Sequence, residues 1–104
     1  YELASLIGTS LTCTESIAAL FGLFMAADSA MDMVILGVNA GGDTDSIASI
    51  GGAIYGAFEG PGSFREEDRI LIEKMNCYDN ALTKHFDLCG MAKDLAKLAD
   101  ERRA

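Results

Sequence analysis

The sequence predicts an all-α protein. Apolar residues recur at helical spacing along nearly the whole chain, and no apolar run alternates with period two beside a second one that offers pairing. Glycine, proline and aspartate breaks fall between these runs, where helices have to end. The 104 residues are 50% hydrophobic and 23% charged, with one Pro, which fits one small globular domain and excludes a collagen-like or Pro-rich chain. A formal charge of −8 repels phosphate backbones, so broad nucleic-acid binding is not expected.

The chain opens Tyr1-Glu2-Leu3, inside what reads as a structural element and without the basic region of a signal peptide. Ser16 to Ala27 is apolar on every side, as expected for a helix enclosed by others; Glu15 and Ser16 suit its first turn and Asp28-Ser29 breaks it. A bilayer span needs about 20 apolar residues, so this stretch is a buried helix and no membrane association is expected. Ala30 to Ala40 contains Met33-Val34-Ile35-Leu36, which has strand propensity, but no partner strand is in sight and the segment is assigned to helix. After Gly41-Gly42 a helix runs from about Thr44 to Phe58, stopped by Gly60-Pro61-Gly62. Glu66 to Asn76 and Asp79 to Arg103 read as amphipathic helices. In the second, Leu88, Met91, Leu95 and Leu98 form a stripe, Lys93, Asp94, Lys97, Asp100 and Glu101 face out, and Gly90 is a point of interruption.

The thiols and the single histidine carry little chemistry. Cys13, Cys77 and Cys89 are an odd number without CxxC spacing, which points to reduced, buried cysteines of a cytoplasmic protein and away from a disulfide framework or structural zinc. His85 has no Cys at nucleophilic-pair spacing, and Ser10 and Ser63 lack a Gly-x-Ser-x-Gly context. Met25, Met31, Met33, Met75 and Met91 are expected to fill the core. The runs Arg65 to Arg69 and Asp100 to Arg103 read as solvated helix faces.

The informative stretch is Asn39-Ala40-Gly41-Gly42-Asp43-Thr44-Asp45-Ser46-Ile47. It places two carboxylates and a hydroxyl at a helix start, a set of hard oxygens that suits Mg²⁺. With Asp43 as N-cap, Asp45 lies in the first turn and Ser46 three residues on, so that Asp43 and Ser46 project to one side. Ordinary capping accounts for Asp43 and tolerates Asp45. It does not account for both acids lying between a bare Gly-Gly turn and an apolar helix. An EF-hand is excluded, because no third acid and no distant Glu follow at loop spacing. In the following helix Ala48, Gly52, Gly56 and Gly60 recur every fourth residue beside an Ile47, Ile50, Ile54 ridge. Interior glycine costs about 1 kcal/mol relative to Ala, so the stripe predicts close approach of another helix backbone.

Gly41-Gly42-Asp43-Thr44-Asp45-Ser46, continued through the glycine-striped helix to Gly60, closely resembles the C-terminal signature of the ADP-ribosylglycohydrolase family, whose usual pattern runs GGDTDT and then AGAxxGAxxG. Gly8-Thr9-Ser10-Leu11-Thr12-Cys13-Thr14-Glu15-Ser16 is similar to the family's loop before its Glu-Ser or Glu-Thr helix start. The resemblance is clear from about Gly8 to Gly60 and weak thereafter. It implies a compact, multi-helix orthogonal bundle with two Mg²⁺ ions, and hydrolysis of the bond between ADP-ribose and a modified acceptor. By position, Asp43 and Asp45 match the metal-binding aspartates, Ser46 stands where the family usually has Thr, and Gly8, Thr9 and Ser10 match the segment along ADP-ribose.

The family's second acidic cluster, Thr-Asp-Asp, and its acidic catalytic residue have no counterpart here, so no catalytic residue is assigned. Where an aromatic residue commonly stacks, this chain has Thr12 and Thr14. Residues 1–104 are accordingly expected to be the C-terminal portion of a single ADP-ribosylglycohydrolase-like domain, partnered by the remaining N-terminal part of that domain and inactive alone. The alternative is a non-catalytic ADP-ribose-binding or crystallin-like structural relative. An Asp-x-Asp phosphatase fits poorly, because its first Asp directly follows a strand, whereas Asn39-Ala40-Gly41-Gly42 intervenes here.

Overall fold

A computed structural model of the chain describes residues 2–76 and 87–104. Among the described residues there are six helices, a short 3-10 turn and no strand, in agreement with the all-α reading. The helices are α1 (Glu2–Leu6), α2 (Cys13–Ala26), α3 (Ala30–Asn39), α4 (Thr44–Glu59), α5 (Glu66–Asn76) and α6 (Leu88–Arg103), with the 3-10 turn at Pro61–Ser63. No described helix is long and apolar enough to cross a membrane. The chain divides into two units, Tyr1–Phe64 and Arg65–Ala104.

In the first unit, local chemistry sets each helix start. Ser29 caps α3 by accepting from the Asp32 N–H at 3.1 Å, and the Asp32 carboxylate accepts from the Asp28 N–H at 3.1 Å. This is a capping box displaced by one residue. The α2 helix begins three residues before Ser16, because Thr12 takes the N-cap position and Glu15 falls in the first turn with its carboxylate turned back. Gly60, at φ +90°, ends α4 in a conformation that favours glycine.

The core lies where α2, α3 and α4 meet. Ala19, Leu20, Leu23 and Ala27 meet Met33 and Ile47, and the last two are fully enclosed. Burying a side chain of this size stabilises by about 1.5–3 kcal/mol. The α3 and α4 helices run antiparallel. The Ala30 N–H at the start of α3 donates to Glu59 Oε2 at the end of α4 (3.0 Å), while Gly37, near the end of α3, lies against Ala48. A β-carbon on Gly37 would sit 2.8 Å from the Ala48 Cα, so this glycine is what lets the two backbones touch. Tyr55 of α4 stacks on Phe24 with ring centroids 6.0 Å apart and donates its hydroxyl to the Ala27 carbonyl at 3.0 Å, tying the end of α2 to α4.

Several expectations are corrected by this packing. The close helix approach uses Gly37 of α3, while Gly52 and Gly56 make room for the side chains of Val34 and Phe64. Of the isoleucine ridge only Ile47 is buried; Ile50 and Ile54 are exposed. The α2 helix buries one face only, and Ile17, Phe21 and Met25 on another are exposed. Among the methionines Met33 alone is fully buried, whereas Met25, Met75 and Met91 are exposed. Cys13 and Cys89 are free but exposed. One physical reason covers these departures: apolar character records a helix's tendency to be covered, and three helices around one core cover only the faces turned toward each other.

The second unit carries α5 and α6. Arg65 and Asp68 pair at 2.8 Å ahead of and within the first turn of α5, on an exposed face. The α6 helix starts at Leu88, where the N-cap Asp87 accepts from the Gly90 N–H at 2.8 Å, so Gly90 belongs to a helix start and does not interrupt a helix. The stripe Leu88, Met91, Leu95 and Leu98 is exposed. Cys77, His85 and residues 79–86 of the expected last helix lie outside the described residues.

Candidate functional site

The start of α4 is built from the chain on both sides of it. Gly41 and Gly42 both adopt positive φ, +84° and +68°, and turn the chain sharply from α3 into α4. A β-carbon on Gly42 would overlap the Thr9 carbonyl oxygen, so glycine is required there for space as well as for conformation. That carbonyl accepts the Asp43 N–H at 2.7 Å. The Gly8–Thr12 loop, more than thirty residues away in sequence, is thereby fastened to the first residue of the α4 turn.

Where the two segments meet, Ser10, Leu11, Thr12, Gly42, Asp43 and Asp45 line an open pocket of about 520 Å³. That volume lies in the range of small-molecule sites. Both candidate metal-binding aspartates therefore share one pocket with Ser10. Asp43 occupies the N-cap position of α4 but makes no capping hydrogen bond, and among the described residues no side-chain hydrogen bond or ion pair engages Asp43 or Asp45. Capping thus does not account for the Asp43 carboxylate. Ser46 is half-buried in the first turn of α4 and is not among the lining residues.

The other predicted residues have structural partners. Thr9 is buried and holds the α4 turn through its carbonyl. Gly8, at φ +89°, faces the Glu15 carboxylate, and a β-carbon there would lie 2.5 Å from Glu15 Oε2. Hydrogen bonds from Ser10, through its hydroxyl and its N–H, hold the Glu15 carboxyl below the usual carboxylate range, with Thr12 adding to the effect. Sequence reasoning placed Thr12 beside the ligand, where an aromatic residue commonly stacks, but missed Leu11 as a lining residue and Glu15 as the group that organises the loop. The Thr12-x-x-Glu15 spacing, a capping-box pattern, was the available signal for Glu15.

As a metal centre the donor set is hard and anionic but incomplete. The two pocket carboxylates, Asp43 and Asp45, are hard oxygens of the kind that a cation such as Mg²⁺ takes while keeping several waters, whereas Ser46 does not line their pocket. Among the described residues, no group of three or more His, Cys, Asp or Glu side chains gathers closely enough to hold a metal ion. The field favours a cation: residues 1–64 hold seven acidic side chains and no Lys, Arg or His. Cys89 lies in the other unit, and its hydrogen bond to Glu73 (2.8 Å) pushes its pKa up, away from the reactive thiolate.

No curated protein and no solved structure matches the chain significantly. A family comparison matches residues 2–104 to ADP-ribosylglycohydrolase, and this match runs through the pocket's loop, both pocket aspartates and the second unit. An all-α bundle with a Gly-Gly-Asp-Thr-Asp helix start, matched over nearly its whole length, places the chain in the ADP-ribosylglycohydrolase family, a family of hydrolases.

Proposed function

We propose that this chain is the C-terminal portion of a Mg²⁺-dependent hydrolase that removes ADP-ribose from a modified acceptor. The observation that carries the reading is the α4 start, where Asp43 and Asp45 line one pocket and, among the described residues, no side-chain hydrogen bond or ion pair engages either carboxylate. ADP-ribose is anionic, and residues 1–64 hold no basic side chain to meet its pyrophosphate. A divalent cation on Asp43 and Asp45, with the Ser46 hydroxyl as a third oxygen, resolves that conflict by inverting the local sign of charge. When bound, such an ion supplies Lewis acidity and fixes the orientation of ribose oxygens.

The chain's own residues do the rest that can be assigned. Ser10, whose hydroxyl is hydrogen-bonded to the Thr12 hydroxyl (3.1 Å) and accepts the Thr12 N–H (3.3 Å), forms the loop wall with Leu11 and Thr12, and Gly8 and Thr9 hold that wall in place. Two Mg²⁺ ions need more ligands than two acids and a hydroxyl supply, so further ligands and the acid or base of the reaction belong to the N-terminal part of the domain. The exposed stripes Ile17, Phe21, Met25 on α2 and Ile50, Ile54, Phe58 on α4 support this, because apolar surface of that extent is usually covered. A cytoplasmic setting suits the exposed thiols of Cys13 and Cys89, which stay reduced there.

Calorimetric titration of the full-length protein with ADP-ribose tests the reading. Binding is expected in Mg²⁺, is lost in EDTA and is lost in Asp43→Asn; Mg²⁺-independent binding contradicts it. The 104-residue chain alone should release no ADP-ribose from an ADP-ribosylated arginine or serine peptide. Turnover by that chain would overturn the assignment of catalytic groups to another part of the domain.

A further inference from the structure

We propose that Glu15 and Ser16 are positioning residues for the pocket, clamping Ser10 through its N–H and its carbonyl so that the loop wall keeps its place beside Asp43 and Asp45. The inference rests on the reading of this pocket as the ADP-ribose site. Three hydrogen-bonded contacts define the clamp. The Ser10 N–H donates to Glu15 Oε2 at 2.9 Å, and the Ser16 hydroxyl donates to the Ser10 carbonyl at 3.2 Å. The neighbouring Thr9 carbonyl accepts the Asp43 N–H at 2.7 Å. Consecutive residues on the first turn of α2 therefore hold both main-chain polar groups of Ser10, the first of the three loop residues that line the pocket, while the α4 start holds the residue before it.

The consequence for ligand recognition is specific. A helix-flanking loop with Gly at positive φ and a free N–H is a ready anion cradle. Here the cradle is already filled, because the Glu15 carboxylate occupies the space above Gly8 and takes the Ser10 N–H. A phosphate of the ligand cannot share that donor with a carboxylate, so the Ser10 N–H is closed to the ligand. Helix capping explains neither contact: Glu15 accepts the Ser10 N–H, two residues before the Thr12 N-cap, and the buried Ser16 hydroxyl leaves α2 to reach the loop.

The test compares Glu15→Ala, Glu15→Gln, Ser16→Ala and the double alanine variant in the full-length protein. The readouts are the Ser10 amide resonance and the Kd for ADP-ribose in saturating Mg²⁺. Glu15→Ala should displace the Ser10 amide resonance and weaken ADP-ribose roughly tenfold, the scale of a lost hydrogen bond to a charged group. Glu15→Gln keeps an oxygen for the Ser10 N–H and should restore most of the affinity, which a purely electrostatic role of Glu15 would not allow. Because Glu15 and Ser16 hold the same residue, Ser10, the double variant should lose less than the product of the single losses. Wild-type Kd values in both Glu15→Ala and Ser16→Ala would overturn the proposal. If the wild type fails to bind ADP-ribose in Mg²⁺, the functional reading falls. The clamp is then decided by the Ser10 amide alone: an unmoved resonance in Glu15→Ala overturns it, and a displaced one upholds it.

Discussion

Aspartate stands at the N-cap of α4 in the first unit and of α6 in the second, and the two side chains do different things. Asp87 folds onto its own helix and accepts from the Gly90 N–H at 2.8 Å. Asp43 has a similar backbone, φ −80° and ψ 62° against φ −76° and ψ 87°, yet makes no capping bond and lines a pocket with Asp45. The difference lies in what holds the main chain. The α4 start is fixed from outside by the left-handed Gly41-Gly42 turn and by the Thr9 carbonyl on the Asp43 N–H, so the helix does not depend on its cap side chain. At α6 a side chain closes the helix end, and no described residue of α6 is buried. A cap position held by tertiary contacts releases its carboxylate for other work.

The largest expected effect attacks that outside support. Gly42→Val puts a β-branched side chain at positive φ, onto the Thr9 carbonyl oxygen. A strained backbone and overpacking each cost about 1–3 kcal/mol, so a loss of about 2–6 kcal/mol in urea unfolding is expected. A cost below 1 kcal/mol would mean that the Gly-Gly turn does not hold the α4 start.

A smaller effect compares the caps directly by native-state hydrogen exchange, which reads each helix separately. Asp87→Ala should destabilise α6 by about 1 kcal/mol, the usual worth of a cap. In EDTA, Asp43→Ala should cost α4 only the dipole contribution, about 0.3–1 kcal/mol. Equal costs at the two positions would show that Asp43 caps in solution and would erase the distinction.

Much of this was legible in the sequence, for reasons that differ by element. The α3, α4 and α5 helices announce themselves through periodicity and through Gly41-Gly42 and Gly60-Pro61-Gly62, because backbone breaks are local chemistry. Asp43 and Asp45 stand out because charge at an apolar helix start is conspicuous. What could not be read is which faces meet. The glycine that lets two backbones touch is the solitary Gly37, while the conspicuous Gly52 and Gly56 receive side chains. That assignment depends on the rotation of α3 against α4, which no spacing within one helix encodes. The union of the Gly8–Thr12 loop with the α4 turn is likewise long-range. It rests on the space left by one missing β-carbon and on one backbone hydrogen bond.

The central claim is that the Asp43 and Asp45 carboxylates are left unengaged in order to hold a cation. Thermal melts of full-length wild type and Asp45→Asn, each in EDTA and in excess Mg²⁺, test it most directly. A cation bound only by the folded state adds about 2.7 kcal/mol at a hundredfold excess over its Kd. The wild type should gain a stabilisation of that order in Mg²⁺. Asp45→Asn, which keeps the side chain's size and removes its charge, should lose that gain. Equal Mg²⁺ shifts in the two proteins, or none in the wild type, would contradict the claim.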